Sequence, residues 1–168
     1  GGRILFDNDG YLFLTIGDRG QRERAQNTQD PAGSVLRLHD DGRIPEDNPL
    51  VGQADQATEI WSWGHRNPQG LALHPQTGKP WLNEHGPRGG DEINAVKPGV
   101  NYGWPVITYG REYYGPSIGD TEKKGYAQPL LHWTPSIAPA GMAFITSDRY
   151  PGWQGHTANG ALKLQHLN

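Results

Sequence analysis

The 168-residue sequence contains no cysteine, which excludes disulfides, thiol catalysis and cysteine-ligated metals. It contains no run of 18 or more apolar residues, so no segment is suited to span a bilayer as a helix. Positive charge is not in excess: 15 Lys and Arg stand against 18 Asp and Glu, for a net charge of -3. That gives no basic field for nucleic acid. The seven histidines show no His-Glu-x-x-His spacing, so the usual zinc signature is missing too. Uninterrupted helical stripes are also lacking, because 24 glycines and 14 prolines punctuate the chain.

What remains is globular in character. The hydrophobic set is 34%, and glycine raises it to about 48%, inside the range of ordinary domains. Six tryptophans and seven tyrosines, set among so many turn residues, point to short strands and tight turns. The expected class is all-β.

Strand signals recur along the chain. Ile4 to Phe6 and Tyr11 to Ile16 flank an Asp7-Asn8-Asp9-Gly10 turn and read as a hairpin. Arg19 to Asp30 has no apolar stripe and reads as a long loop or a short helical turn, after which Ser34 to Leu38 resumes as a strand. Gly70 to Leu73, a His74 to Gly78 turn, and Pro80 to Asn83 repeat the hairpin, and Ala140 to Phe144 begins a third copy. Taking Phe6, Leu73 and Phe144 as equivalent gives separations of 67 and 71 residues. These exceed the ~40 to 50 of compact propeller repeats, as blades with inserted loops would. Ile44 to Asp55 and Tyr109 to Gln128 read as those loops. Gly1 leads almost directly into a strand and Asn168 follows closely on the apolar positions of Gly160 to Leu167, so residues 1–168 are expected to be about three blades, a fragment of one larger propeller domain.

The segment from Gly64 to Asn94 carries most of the chemistry. Arg66 and Asn67 precede a strand, and their flat donor forks suit a planar anionic ligand bearing carbonyls. They serve equally as a stacked arginine and a turn-capping amide before Pro68. Gly86-Pro87 leads through a turn to Asp91-Glu92, and exposed carbonyls with carboxylates can meet the six to eight oxygens that calcium requires. The same stretch also reads as a loop with solvated acids. Asp7-Asn8-Asp9-Gly10 resembles the start of an EF-hand but lacks the later ligand, and a hairpin explains it. His65 reads as a hydrogen-bonded structural histidine. Asp18, after the strand ending at Ile16, either closes a turn or orients a histidine base. Lys163 alternates with apolar neighbours, as a solvent-facing strand lysine does.

Taken in order, Thr15-Ile16-Gly17-Asp18, Gly64-His65-Arg66-Asn67-Pro68-Gln69-Gly70-Leu71, Glu84-His85-Gly86-Pro87, Asp91-Glu92-Ile93-Asn94 and Asn101-Tyr102-Gly103-Trp104-Pro105 resemble the soluble pyrroloquinoline-quinone (PQQ)-dependent aldose (glucose) sugar dehydrogenase family. The resemblance covers nearly the whole chain and implies a six-bladed β-propeller. It implies that Arg66 and Asn67 contact the quinone, with Arg66 polarising a carbonyl, and that Lys163 and Tyr113 bind it as well. The carbonyls of Gly86 and Pro87 would ligate the calcium that holds the cofactor, and Glu92 with the Tyr102 carbonyl a second, structural calcium. Asp18 would partner the catalytic histidine, which in the family lies just before the Gly-Gly-Arg found here as Gly1-Gly2-Arg3. A later pair of arginines would fall beyond Asn168. Between Gly155 and Asn159 the sequence departs from the apolar strand the family places before Gly160.

The implied function is oxidation of the anomeric C1 hydroxyl of an aldose to a lactone, with hydride passing to PQQ and electrons leaving to an external acceptor. A periplasmic or secreted location goes with it. The alternative is a non-catalytic propeller module that binds a partner or glycan. With three blades two strand edges are open, so the 168-residue chain is expected to self-associate.

Overall fold

Alternation sets the first blade. In the computed structural model, which describes residues 1–168, β1 (Ile4–Phe6) and β2 (Leu12–Ile16) pair as the predicted hairpin, Ile4 opposite Leu14. Asp7 closes the turn by accepting the amides of Asp9 and Tyr11 on its side chain, and Gly10 takes a φ of 85° there. A short 3-10 helix, Arg22–Gln26, occupies the polar loop before β3 (Ser34–Leu38), which pairs with β2 and then with β4 (Ile60–Trp63). The second blade uses β5 (Pro68–Leu73), β6 (Pro80–Glu84) and β7 (Asp91–Ala95). The chain then returns to the first blade, where β8 (Val100–Asn101) lies parallel to β4, and goes back to the second, where β9 (Leu131–Trp133) pairs with β7. The third sheet holds β10 (Pro139–Phe144), β11 (Thr157–Ala161) and β12 (His166–Leu167).

The chain is therefore all-β, with three blades, and Phe6, Leu73 and Phe144 each end the first strand of a blade. The separations read as blade repeats hold in register. The strand β11 forms through Thr157 to Ala161 despite its weak apolar content, because pairing with β10 and inward burial of Asn159 and Ala161 define it. Lys163 departs from the strand reading: it sits in the turn between β11 and β12, its amide donating to the Ile137 carbonyl at 3.1 Å. No helix is long and apolar enough to cross a membrane.

Side chains between blades form the core. Phe13 and Val35 from the first blade meet Leu82 and Val96 from the second, all nearly inaccessible to solvent. Removing such area from water contributes roughly 1.5–3 kcal/mol per side chain. On the other face of the first blade, Leu36 and Ile60 are covered by Leu50 from the long loop. The second and third blades join partly through polar groups: buried Asn83 donates at 2.9 Å to the Gly141 carbonyl and at 2.8 Å to Asn159. At the ends of the row, Ile4 and Phe6 on one side and Leu162 and Leu167 on the other stay exposed.

Candidate active site

The first strands of the blades all begin at one end of the molecule, and the candidate residues gather there. The Gly1 amine donates to Asn67 at 2.6 Å, and His85 Nε2 lies 2.7 Å from the Pro139 carbonyl. The approach to β5 is fixed by Glu84, the last residue of β6. Its Oε1 lies 2.9 Å from His65 Nδ1 and its Oε2 accepts the Arg66 amide at 2.7 Å. On its other nitrogen His65 meets Ser62 Oγ at 3.0 Å, and its ring stacks on Tyr102 at 4.7 Å. Burial alone would raise the Glu84 carboxyl, but the His65 ring and the donated amides hold it below the ordinary carboxylate range. Ser62 and His65 are fully buried. With Ser62 and His65 closed off from solvent, this Ser-His-Glu line serves as scaffold, and His65 has the hydrogen-bonded structural role read from the sequence.

The turn after β6 is tight because a Cβ on Gly86 would collide with the carbonyls of Gly89 and Gly90. Arg66 spans it. Its Nη1 donates to the carbonyls of His85 at 3.1 Å and Gly86 at 2.8 Å, while the guanidinium lies over the Trp104 ring at 5.3 Å. The stacked reading and the site reading of Arg66 are thus compatible, although its tryptophan is Trp104 and not its sequence neighbours.

Asp91 and Glu92 are not solvated acids. Asp91 is 1% exposed. Its Oδ1 accepts the Gly86 amide and the Ser136 hydroxyl, each at 2.9 Å, and its Oδ2 accepts the amides of Ile137 and Ala138, each at 2.8 Å. It has no lone pair facing a cation; it ties the Gly86 turn to the third blade. Glu92, partly buried, receives one bond, from Asn94 at 3.2 Å. Burial, reinforced by Glu84 and Asp91, pushes its carboxyl up to about 8.

Two cavities share the Gly86 turn. The larger, about 790 Å³, brings Gly86, Pro87, Tyr113 and Lys163 together with Arg88 and Arg111. The smaller, about 20 Å³, is walled by Arg66, Glu84, Glu92 and Tyr102 among others, room for one water-sized occupant. The carbonyls of Pro87 and Tyr102 accept no hydrogen bond from the protein, and no three His, Asp or Glu side chains form a metal cluster. A cation at the Gly86-Pro87 turn would therefore rest on carbonyls, and one in the smaller cavity on the Tyr102 carbonyl beside the single available carboxylate, Glu92. That oxygen-only donor set fits calcium. The larger cavity fits an anionic, carbonyl-bearing ligand, since its three cationic side chains have no carboxylate partner.

Asp18 and Asn67 stand outside both walls. Asp18 accepts the Gly20 amide at 2.9 Å and the Trp104 indole N–H at 2.8 Å, and hydrogen-bonds none of the seven histidines. Trp104 thereby joins Asp18 to Arg66, a link that sequence reading missed. Its position in Asn101-Tyr102-Gly103-Trp104-Pro105 was visible, but nothing local points an indole at Asp18, 86 residues away. Arg88 and Arg111 were missed for the same reason.

A model of the glucose/sorbosone dehydrogenase family matches residues 1–168. Aldose sugar dehydrogenase YliI of Escherichia coli is 48% identical over 166 residues, 97% of this chain and 45% of that protein. The crystal structure of the soluble aldose sugar dehydrogenase from Escherichia coli in the apo-form matches with a TM-score of 0.93 at 48% identity, over 97% of this chain and 48% of that one. The PQQ-bound form of an aldose sugar dehydrogenase from Streptomyces coelicolor matches with a TM-score of 0.79 at 30% identity, over 99% of this chain and 43% of that one. The chain spans about half the length of the relatives it matches.

Proposed function

The chain belongs to the glucose/sorbosone dehydrogenase family, and from that premise we propose that it forms part of a calcium- and PQQ-dependent enzyme that oxidises the C1 hydroxyl of an aldose to the lactone, acting in the periplasm or outside the cell. The observation that carries the proposal is the meeting of Gly86, Pro87, Tyr113 and Lys163 on one cavity while Arg66 reaches the Gly86 carbonyl from behind. When bound, the quinone supplies a two-electron acceptor and calcium supplies a Lewis acid.

The protein's own residues hold and orient. Lys163 presents an unpaired ammonium to an anionic ligand, and Tyr113 supplies an aromatic wall. The Pro87 carbonyl, free of hydrogen bonds, offers one lone pair to a cation, and the Gly86 carbonyl keeps a second beside the one used by Arg66. Arg66 keeps Nε and Nη2 for a ligand carbonyl and fixes positive charge beside it. Asn67 accepts on Oδ1 and keeps its amide donors. Glu92 and the Tyr102 carbonyl would hold a second cation. Asp18, oriented by Trp104, would take the outer nitrogen of a histidine base, leaving the inner one to accept the sugar hydroxyl proton.

Titration with PQQ, with and without calcium, of the full-length protein that contains this chain tests this, followed by dye reduction with aldoses; the 168-residue chain alone is expected to be inactive. Calcium-dependent stoichiometric binding that Arg66→Ala weakens is expected. Absence of binding under both conditions rejects the proposal.

A further inference from the structure

Trp104 is buried, yet it belongs to neither apolar cluster. Trp61 shows the contrast: it packs against the Phe13 core, and its Nε1 has no partner. Around Trp104 the neighbours are charged. The indole N–H donates to Asp18 Oδ2 at 2.8 Å, and the guanidiniums of Arg66 and Arg22 lie over the ring at 5.3 and 5.8 Å. An indole attracts a carboxylate at its N–H edge and a cation at its face. One side chain therefore meets both in the way that suits each.

The backbone fixes the indole firmly. The Trp104 amide donates to the Gly64 carbonyl at 2.9 Å, and its own carbonyl accepts from Gln26 Nε2 at 2.7 Å. Gly103 before it has a φ of 93°, and a Cβ there would collide with Ile107. The segments that Trp104 touches are also joined to each other. The Asp18 amide, after β2, donates at 2.9 Å to the carbonyl of Arg66, before β5, and a Cβ on Gly17 would press on that carbonyl at 3.1 Å. Main chain thus sets where Asp18 and Arg66 stand, but not where their side chains point. Apart from the indole, the Asp18 carboxylate has only the Gly20 amide, and the Arg66 guanidinium only the carbonyls of His85 and Gly86.

We propose that Trp104 is a positioning residue that keeps the acid behind the base and the arginine beside the cofactor at one spacing across the seam between the first two blades. Its edge serves Asp18 and its face serves Arg66. The inference rests on the function proposed above, in which the proton leaves the hydroxyl on C1 for the base while hydride leaves C1 for the quinone. The two ends must be in register for that step.

The test uses the full-length protein that contains this chain, loaded with calcium. Trp104→Phe keeps a ring under Arg66 and removes the N–H. Its PQQ affinity and its KM for aldose should stay within about threefold, while kcat falls about ten- to a hundredfold. Trp104→Leu removes the ring as well and should weaken PQQ binding about three- to tenfold. Because the edge acts only through Asp18, adding Trp104→Phe to Asp18→Asn should lower kcat no further. A second readout needs no turnover: the indole N–H resonance that is missing from Trp104→Phe should move in Asp18→Asn, and in the wild type when PQQ binds. Circular dichroism establishes that the variants fold. An unchanged kcat in Trp104→Phe, unchanged PQQ affinity in Trp104→Leu, losses that multiply in the double variant, or a resonance indifferent to Asp18→Asn overturns the proposal and leaves the quinone reading standing. A wild type that neither binds PQQ nor oxidises aldoses overturns both.

Discussion

Replacing Asp91 by asparagine tests whether one carboxylate holds the site together. Asp91 accepts four hydrogen bonds at 2.8 to 2.9 Å, from Gly86 on one side and from Ser136, Ile137 and Ala138 on the other. The asparagine amide matches the shape but turns one oxygen into a donor. Whichever way it flips, two donors lose their acceptor in a buried setting. At 1.5–3 kcal/mol for each bond to a charged group, the cost is about 3 to 6 kcal/mol, a large share of a domain's stability. With a urea dependence of 1–3 kcal/mol per molar, the unfolding midpoint should fall by roughly 2 M. Ser136→Ala removes one of the four donors to the carboxylate and the acceptor of the Gly89 amide at 2.9 Å, and should cost about 1.5 to 3 kcal/mol, less than Asp91→Asn. Because the carboxylate also fixes the Gly86 amide, calcium affinity measured calorimetrically under folded conditions should fall in Asp91→Asn and hold in a core variant of equal stability. A midpoint shift below about 0.5 M, with calcium affinity unchanged, refutes the reasoning.

Three further outcomes are expected. Glu92 has a folded pKa of about 8 against an ordinary value of 4.5, so the folded state binds the extra proton between those values. In chelator, its contribution to stability should be fullest below pH 4.5 and decline up to pH 8, by at most about 1.4 kcal/mol per unit. Calcium should offset that decline, and Glu92→Gln should abolish it; denaturation series from pH 5 to 8 that coincide for wild type and variant contradict the account. Leu82→Ala, at a fully buried position between two blades, should cost about 2 to 5 kcal/mol in the same denaturation measurement, and a cost below about 1 kcal/mol would show that the interface is loosely packed. The exposed Ile4 and Phe6 at one end of the row and Leu162 and Leu167 at the other should make the chain associate, seen as a sedimentation coefficient rising with concentration; a constant monomer value refutes it.

The blades were legible because their signals are local. Alternation in Leu12–Ile16 and the Asp7 turn define the first hairpin without reference to distant residues. Phe6, Leu73 and Phe144 carried the repeat because each ends an equivalent strand. The site was legible only as an ordered set of motifs, and its inner wiring was not. Asp91 looked like a cation ligand in sequence, yet its oxygens go to amides and a hydroxyl near residue 137 of the next blade. Lys163 looked like a strand residue because its neighbours are apolar, but those leucines lie exposed in a turn. The bond from Trp104 to Asp18 and the bridge between Arg88 and Arg111 join residues far apart in the chain. Periodicity carries no information about such pairs.

The location of the site follows from turn chemistry. A regular strand satisfies each carbonyl on a neighbouring strand, so hard-cation ligands must come from places where the ladder fails. Gly86 forces such a failure, since the turn closes so tightly that only glycine fits, and the carbonyl of Pro87 then accepts nothing from the protein. Tyr102 does the same between β8 and the residues that follow: its amide donates to Trp63 at 2.8 Å and its carbonyl is left free. Left unsupported, such irregular backbone would be soft. It is held instead by acids that cannot leave, Asp91 beneath the Gly86 turn and Glu84 beneath Arg66. The acid left without a partner network, Glu92, is the one whose proton is held most tightly. A cation next to it would relieve the same crowding that the proton relieves now, so calcium affinity should rise with pH toward 8 and level off above it.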